Sequence, residues 1–241
     1  MKISSTISRN MQVNGNGTAT IFGGRQHSWS QFGERIAKLA AGLRNLGLER
    51  GDRVAVLSLN NDRYMESYFG VPWGGHVLVP INTRLAPPEV VFWLNDSGAT
   101  ILLVDDNFTA MLPKLQGRLD SVKTMVYVGD GTAPAGMLSY EGLIEGAGEM
   151  TPLDSGGDEM AGLFYTGGTT GRGKGVRLSH RNIVANALQI MRVLSPREDD
   201  VFLHTTPMFH AADMKSTIFT MFGAAHSYLP EFTPVALLGA I

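Results

Sequence analysis

The sequence predicts an α/β protein, with largely parallel β-sheets covered by helices in three-layer αβα, doubly wound lobes. Short runs rich in Val, Ile and Leu recur as candidate strands, separated by segments of helical period. The chain's 29 glycines fall at the joints between these segments rather than in one tract. Strands alternating with covering helices are the mark of a parallel sheet with both faces buried.

In chain order, "ATIFGG" reads as a strand and turn, and Ser30 as the cap of a helix running to about Gly47. Phe32, Ile36, Leu39, Ala40, Leu43 and Leu46 would form its apolar face. "RVAVLSL" follows as a buried strand, then a helix near Asp62 to Trp73, strand "HVLVPI", a helix from Pro87 to Asn95 and strand "TILLVD". A helix from about Asn107 and strand "TMVYVG" complete the first half. The Gly-, Pro- and acid-rich stretch Glu145 to Glu159 has no apolar period and suggests a boundary, giving lobes 1–155 and 156–241.

The second half continues with strand "MAGLFYT", a glycine loop, strand "GVRLS" and a helix from about His180 to Val193 capped by Ser179. Ile183, Val184, Ala187, Leu188 and Met191 make its apolar stripe. Strand "VFLHTTP", a helix near Asp213 to Phe222 and strand "HSYLP" follow, and Thr233-Pro234 opens a last helix. That helix runs into Ile241 without a stop signal, so the chain reads as a piece of a larger protein with an exposed edge that could bind another copy.

Composition narrows the function. With 20 Lys and Arg against 22 Asp and Glu, no basic surface for nucleic acid is expected. The absence of cysteine removes disulfides, zinc–thiolate sites and Cys nucleophiles, and suits a cytoplasmic protein. No run approaches the ~20 apolar residues of a membrane span, and "MKISSTISRNMQVNGNG" has no apolar run of the signal-peptide kind.

The chemistry concentrates in "YTGGTTGRGKGVRLS", from Tyr165 to Ser179. Gly168 to Lys174 fits the opening of a P-loop, but Gly175 stands where that loop needs Ser or Thr for magnesium. After Lys174 the sequence has strand period, so no helix N-terminus is expected there. Gly167, Gly168 and Gly171 can turn successive N–H groups into an anion nest. Thr166, Thr169 and Thr170 add hydroxyls, and Arg172 and Lys174 add positive charge. A solvated Gly/Thr hairpin is the plainer alternative.

This stretch resembles the phosphate loop of the adenylate-forming superfamily, whose pattern is approximately Tyr-Thr-Ser-Gly-Thr-Thr-Gly-x-Pro-Lys-Gly between two strands. Gly167 replaces the usual Ser and Gly173 the usual Pro. "LERGDRVAVLSLNN", "GGHVLVPINTRL" and "TTPMFHAAD" are similar to further stretches of the family, and the detail leans toward acyl-CoA synthetases. The resemblance implies the large N-terminal domain, incomplete here, of an enzyme that joins a carboxylate to ATP and then to coenzyme A. It implies ATP phosphate binding by Thr166, Gly167, Gly168, Thr169, Thr170, Gly171 and Lys174, and a carboxylate pocket at Phe209 and His210. The carboxylic acid would be fatty or aromatic, and Mg2+ would accompany ATP.

The adenine and ribose motifs, the Mg-binding Glu and the mobile C-terminal domain with its catalytic Lys would lie beyond Ile241. This piece would then hold no catalytic residue and be inactive alone. A non-catalytic phosphate-binding module and a P-loop NTPase are the rival readings.

Other candidates have plainer roles. His180 and Asn182 read as a helix start, and Asn82 and Arg84 as loop supports. Asp105 reads as a cap in a solvated turn, and the remaining histidines lack metal-ligand spacing.

Overall fold

The computed structural model describes residues 1–167 and 173–241. Helix α1 (Ser4–Val13) leads into hairpin β1 (Thr18–Phe22) and β2 (Arg25–Ser28), then α2 (Trp29–Asn45). Next come β3 (Arg53–Leu57), α3 (Asp62–Trp73), β4 (Val77–Pro80), α4 (Pro87–Ser97) and β5 (Ile101–Val104). A 3₁₀ turn (Asp106–Met111), α5 (Leu112–Leu115), β6 (Thr124–Tyr127), β7 (Leu138–Ser139) and α6 (Tyr140–Glu145) follow. Then β8 (Met160–Thr166), β9 (Lys174–Ser179), α7 (His180–Leu194) and β10 (Val201–His204) run on. A second 3₁₀ turn (Ala211–Lys215), α8 (Ser216–Phe222), β11 (Ala225–Tyr228) and α9 (Pro234–Ala240) complete the chain.

Seven strands form one sheet in the order β7-β6-β5-β3-β4-β8-β9, and four form a second in the order β10-β11-β1-β2. The larger sheet is parallel except for β9, which runs antiparallel to β8. The strand order crosses position 155/156 twice: β8 joins β4, and β1 joins β11.

Alternation along β3 explains the layers. Val54 and Val56 face a core shared with α1, α2 and α3, while Ala55 and Leu57 face a second core under α4 and α5. Helix α3 packs between the two sheets and every one of its residues is buried. Its charged side chains therefore need partners. Glu66, wholly buried, receives Arg35 at 2.6 and 3.1 Å and the Tyr140 hydroxyl at 2.8 Å. Arg35 also reaches Glu141, which Arg63 meets at 2.8 Å. Burial pushes the Glu66 carboxyl up, and Arg35 opposes it.

Local differences from the sequence reading have local causes. The cap of α2 is Ser28, not Ser30, because Ser28 and Gln31 close a reciprocal capping box. Helix α1 escaped notice because its buried face is Ser4, Thr6, Ile7 and Asn10, with almost no apolar period. The short β7 and α6 were likewise unassigned, lying in a stretch too brief to show a period. The helix expected from Asn107 is mostly a 3₁₀ turn. On α7, Ile183, Val184 and Ala187 are buried but Leu188 and Met191 face outward. Asp105 does cap a turn, yet it is buried rather than solvated, accepting from Ser58 Oγ, Leu59 N and Asn107 N.

Candidate functional site

Counted from β3, strands β3 to β7 stand in the order two-one-three-four-five, so the winding reverses between β3 and β5. Loops leaving the carboxyl ends on either side of such a reversal diverge, and a crevice opens between them. Here that place holds a cavity of about 590 Å3. Ser58, Leu59 and Asn60 after β3, Thr83 and Arg84 after β4, and Asn107 and Phe108 after β5 line one side. Thr205, Pro207 and Phe209 after β10, with Pro230 and Phe232 after β11, line the other. The cavity thus lies between the carboxyl ends of both sheets.

The glycine loop leaves the same edge, because β8 runs parallel to β4. Strands β8 and β9 pair from Met160↔Ser179 to Thr166↔Lys174, so the loop hangs between two antiparallel strands. Lys174 opens a strand, as its sequence period requires, and the helix of a P-loop is not there. Thr166, Gly167 and Lys174 are all exposed, and Thr166 Oγ lies 3.5 Å from the Lys174 carbonyl oxygen. Gly168, Thr169, Thr170 and Gly171 lie outside the described residues, as does Arg172.

The base of the loop rests on a platform that sequence reasoning missed. Trp93 of α4 stacks on Tyr165 with centroids 4.7 Å apart, and the Tyr165 hydroxyl donates to Asp96 at 2.5 Å. Burial, aided by Asp96, raises the Tyr165 phenol well above its usual value. A Cβ added at Gly173 would come within 2.7 Å of the Trp93 indole nitrogen, whereas one at Gly167 would meet nothing. Trp93 therefore accounts for glycine at 173, and packing does not account for it at 167. Only the pairing of α4 with β8 and β9 reveals this, and no local pattern announces it.

Phe209 half-buries against the cavity, but His210 is exposed and does not line it. His210 Nδ1 accepts from Ala212 N at 3.0 Å, capping the second 3₁₀ turn. That bond leaves the proton of the neutral imidazole on Nε2. Below this loop, Asp213 meets His204 Nδ1 at 2.8 Å, His204 Nε2 meets His226 Nδ1 at 3.0 Å, and His226 Nε2 meets Thr220 Oγ at 3.0 Å. All four residues are buried. With neutral rings, His204 donates to Asp213, His226 donates to His204, and Thr220 donates to His226.

Burial, reinforced by His204, holds the His226 imidazole well below its ordinary value. The folded state then keeps it neutral while the unfolded chain takes a proton below about pH 6.5. Stability is expected to be intact above that pH and to be lost as the pH falls below it. One fully buried histidine can contribute up to ~1.4 kcal/mol per pH unit. Urea titrations across this range should show a shallower dependence for His226→Gln; an unchanged slope would contradict the assignment.

The profile of the AMP-binding enzyme family matches residues 7–241. The chain belongs to that family. Its similarity to a long-chain-fatty-acid–CoA ligase of Thermus thermophilus is 40% identity over 186 residues, 76% of this chain and 34% of that protein. To a feruloyl-CoA synthase of Amycolatopsis it is 35% over 206 residues, 85% of this chain and 38% of that one. The solved anthranilate CoA ligase AuaEII, in complex with anthranoyl-AMP, superposes with a TM-score of 0.92 at 27% identity, over 99% of this chain and 47% of that one. The chain therefore spans between about a third and a half of the length of these AMP-binding enzymes. Among the described residues no helix is long and apolar enough to cross a membrane.

Proposed function

We propose that this chain supplies the phosphate-binding part of the adenylating site of an AMP-forming acid–thiol ligase. In the reaction, a carboxylate oxygen attacks the α-phosphorus of MgATP, the bond to the β-phosphate oxygen breaks, and pyrophosphate leaves. The sulfur of coenzyme A then attacks the acyl carbon of the acyl-adenylate, and AMP leaves with the bonding electrons.

The single observation that carries this reading is the connection from Thr166 to Lys174, which joins antiparallel strands at the carboxyl edge that also opens the switch-point cavity. Catalysis of the first step is positioning and neutralisation of charge. Lys174, with Thr166 and Gly167 and the further loop residues Gly168, Thr169, Thr170 and Gly171, would hold the departing phosphates. Phe209 would present an apolar wall to the acid, and His210 would offer its Nε2–H to a carboxylate oxygen.

The relatives named above support a small carboxylic acid, fatty or aromatic, as substrate. A cytoplasmic setting and the inactivity of these 241 residues alone belong to the same proposal. Acid-dependent exchange of labelled pyrophosphate into ATP, by the ligase that carries this chain, is the expected result. No exchange with any fatty or aromatic acid, or exchange that ignores the acid, would overturn it.

A further inference from the structure

We infer that Asn60 is a positioning residue for the acid-binding loop, setting the place of Phe209 and His210 from the opposite sheet. This inference rests on the function proposed above. A side-chain amide has two donor hydrogens and one carbonyl acceptor. Asn60 uses all of them on one segment 144 to 148 residues away. Its Nδ2 donates to the carbonyl oxygens of His204 at 3.2 Å and Thr206 at 2.9 Å, and its Oδ1 accepts from Met208 N at 2.7 Å. Alternate residues from the end of β10 onward are gripped by a single side chain. The Met208 carbonyl accepts from the Tyr68 hydroxyl at 3.0 Å. Both backbone groups of the residue before Phe209 are therefore fixed from α3 and the turn before it.

That turn is itself held. The buried Asp105 carboxylate accepts from Ser58 Oγ at 3.0 Å and Leu59 N at 2.7 Å, and Asn61 Nδ2 donates to Ser58 Oγ at 2.8 Å. A line of support runs from the end of β5, through residues 58–60, to Met208 and on to Phe209. At the far side, the Asp213–His204 contact closes the loop at its base. Asn60 is buried, and it lines the same cavity as Phe209. A loop pinned at 204, 206, 208 and 213 leaves Phe209 and His210 little freedom, as a site that orients a carboxylate needs.

Two variants test this in two ways. Asn60→Leu removes both donors and the acceptor that receives Met208 N, and Tyr68→Phe removes one hydroxyl with little risk to folding. Amide hydrogen exchange on the 241-residue chain is expected to show Met208 protected, and at least about tenfold faster exchange in Asn60→Leu, the equivalent of one lost hydrogen bond. In the ligase, both variants should raise KM for the acid, about tenfold for Asn60→Leu, with KM for ATP within about twofold. Met208 exchange unchanged in Asn60→Leu would overturn the inference. So would acid and ATP parameters that fall together in step with lost folding stability. Absence of acid-dependent exchange by the wild-type ligase would instead remove the proposed function, while the hydrogen-exchange result would still decide whether Asn60 holds the loop.

Discussion

Lys174→Ala is expected to slow acid-dependent pyrophosphate exchange by ~10²–10³, the usual effect of deleting one aligned charge at a developing anion. Lys174 is the first residue of β9 and stands in register with Thr166, the last of β8. The two ends of the loop meet there, and the exposed ammonium sits at its mouth. Pyrophosphate carries away the charge that this group would neutralise, whereas AMP does not hold those phosphates. AMP binding should accordingly change far less than the exchange rate. Equal losses for AMP and ATP would place Lys174 away from the leaving group.

Arg35→Met should lower folding stability by about 3–5 kcal/mol, the range seen when one member of a buried ion pair is removed. Glu66 lies wholly inside, between α2 and α6, and Arg35 is its only cationic partner among the described residues. Methionine fills much of the arginine's volume but leaves the carboxylate with the Tyr140 hydroxyl alone. Glu66→Gln in the same background should recover part of the loss, since a neutral amide is cheaper to bury than an unpaired charge. Urea unfolding of the single and double variants measures this. A loss under about 1 kcal/mol would mean that the pair behaves as an exposed one.

These two effects differ in how far sequence could foresee them. That a strand, not a helix, begins at Lys174 was legible because the alternation after it is local. The same locality made β3, β4 and β5 readable, their unbroken apolar runs reflecting burial on both faces. The pairing of β8 with β4, and of β1 with β11, was not legible, because strand neighbours far apart in sequence leave no periodic trace. No local pattern marks Asn60, whose partners are backbone atoms of residues 204 to 208. The Glu66–Arg35 pair joins α3 to α2, and a contact between two helices leaves no periodic trace in either.

NMR of the tryptophan indole N–H groups during ATP titration of the 241-residue chain tests the phosphate loop most directly. Trp29 and Trp73 donate to the carbonyls of Gly223 and Met150, within the fold, while Trp93 packs against Gly173 at the loop's end. The Trp93 signal is predicted to shift saturably with ATP and with pyrophosphate, to ignore adenosine, and to lose its response in Lys174→Ala, with Trp29 and Trp73 unmoved. A Trp93 signal that stays still at millimolar ATP, or that responds alike to adenosine and in the Lys174→Ala chain, would contradict phosphate binding by this loop.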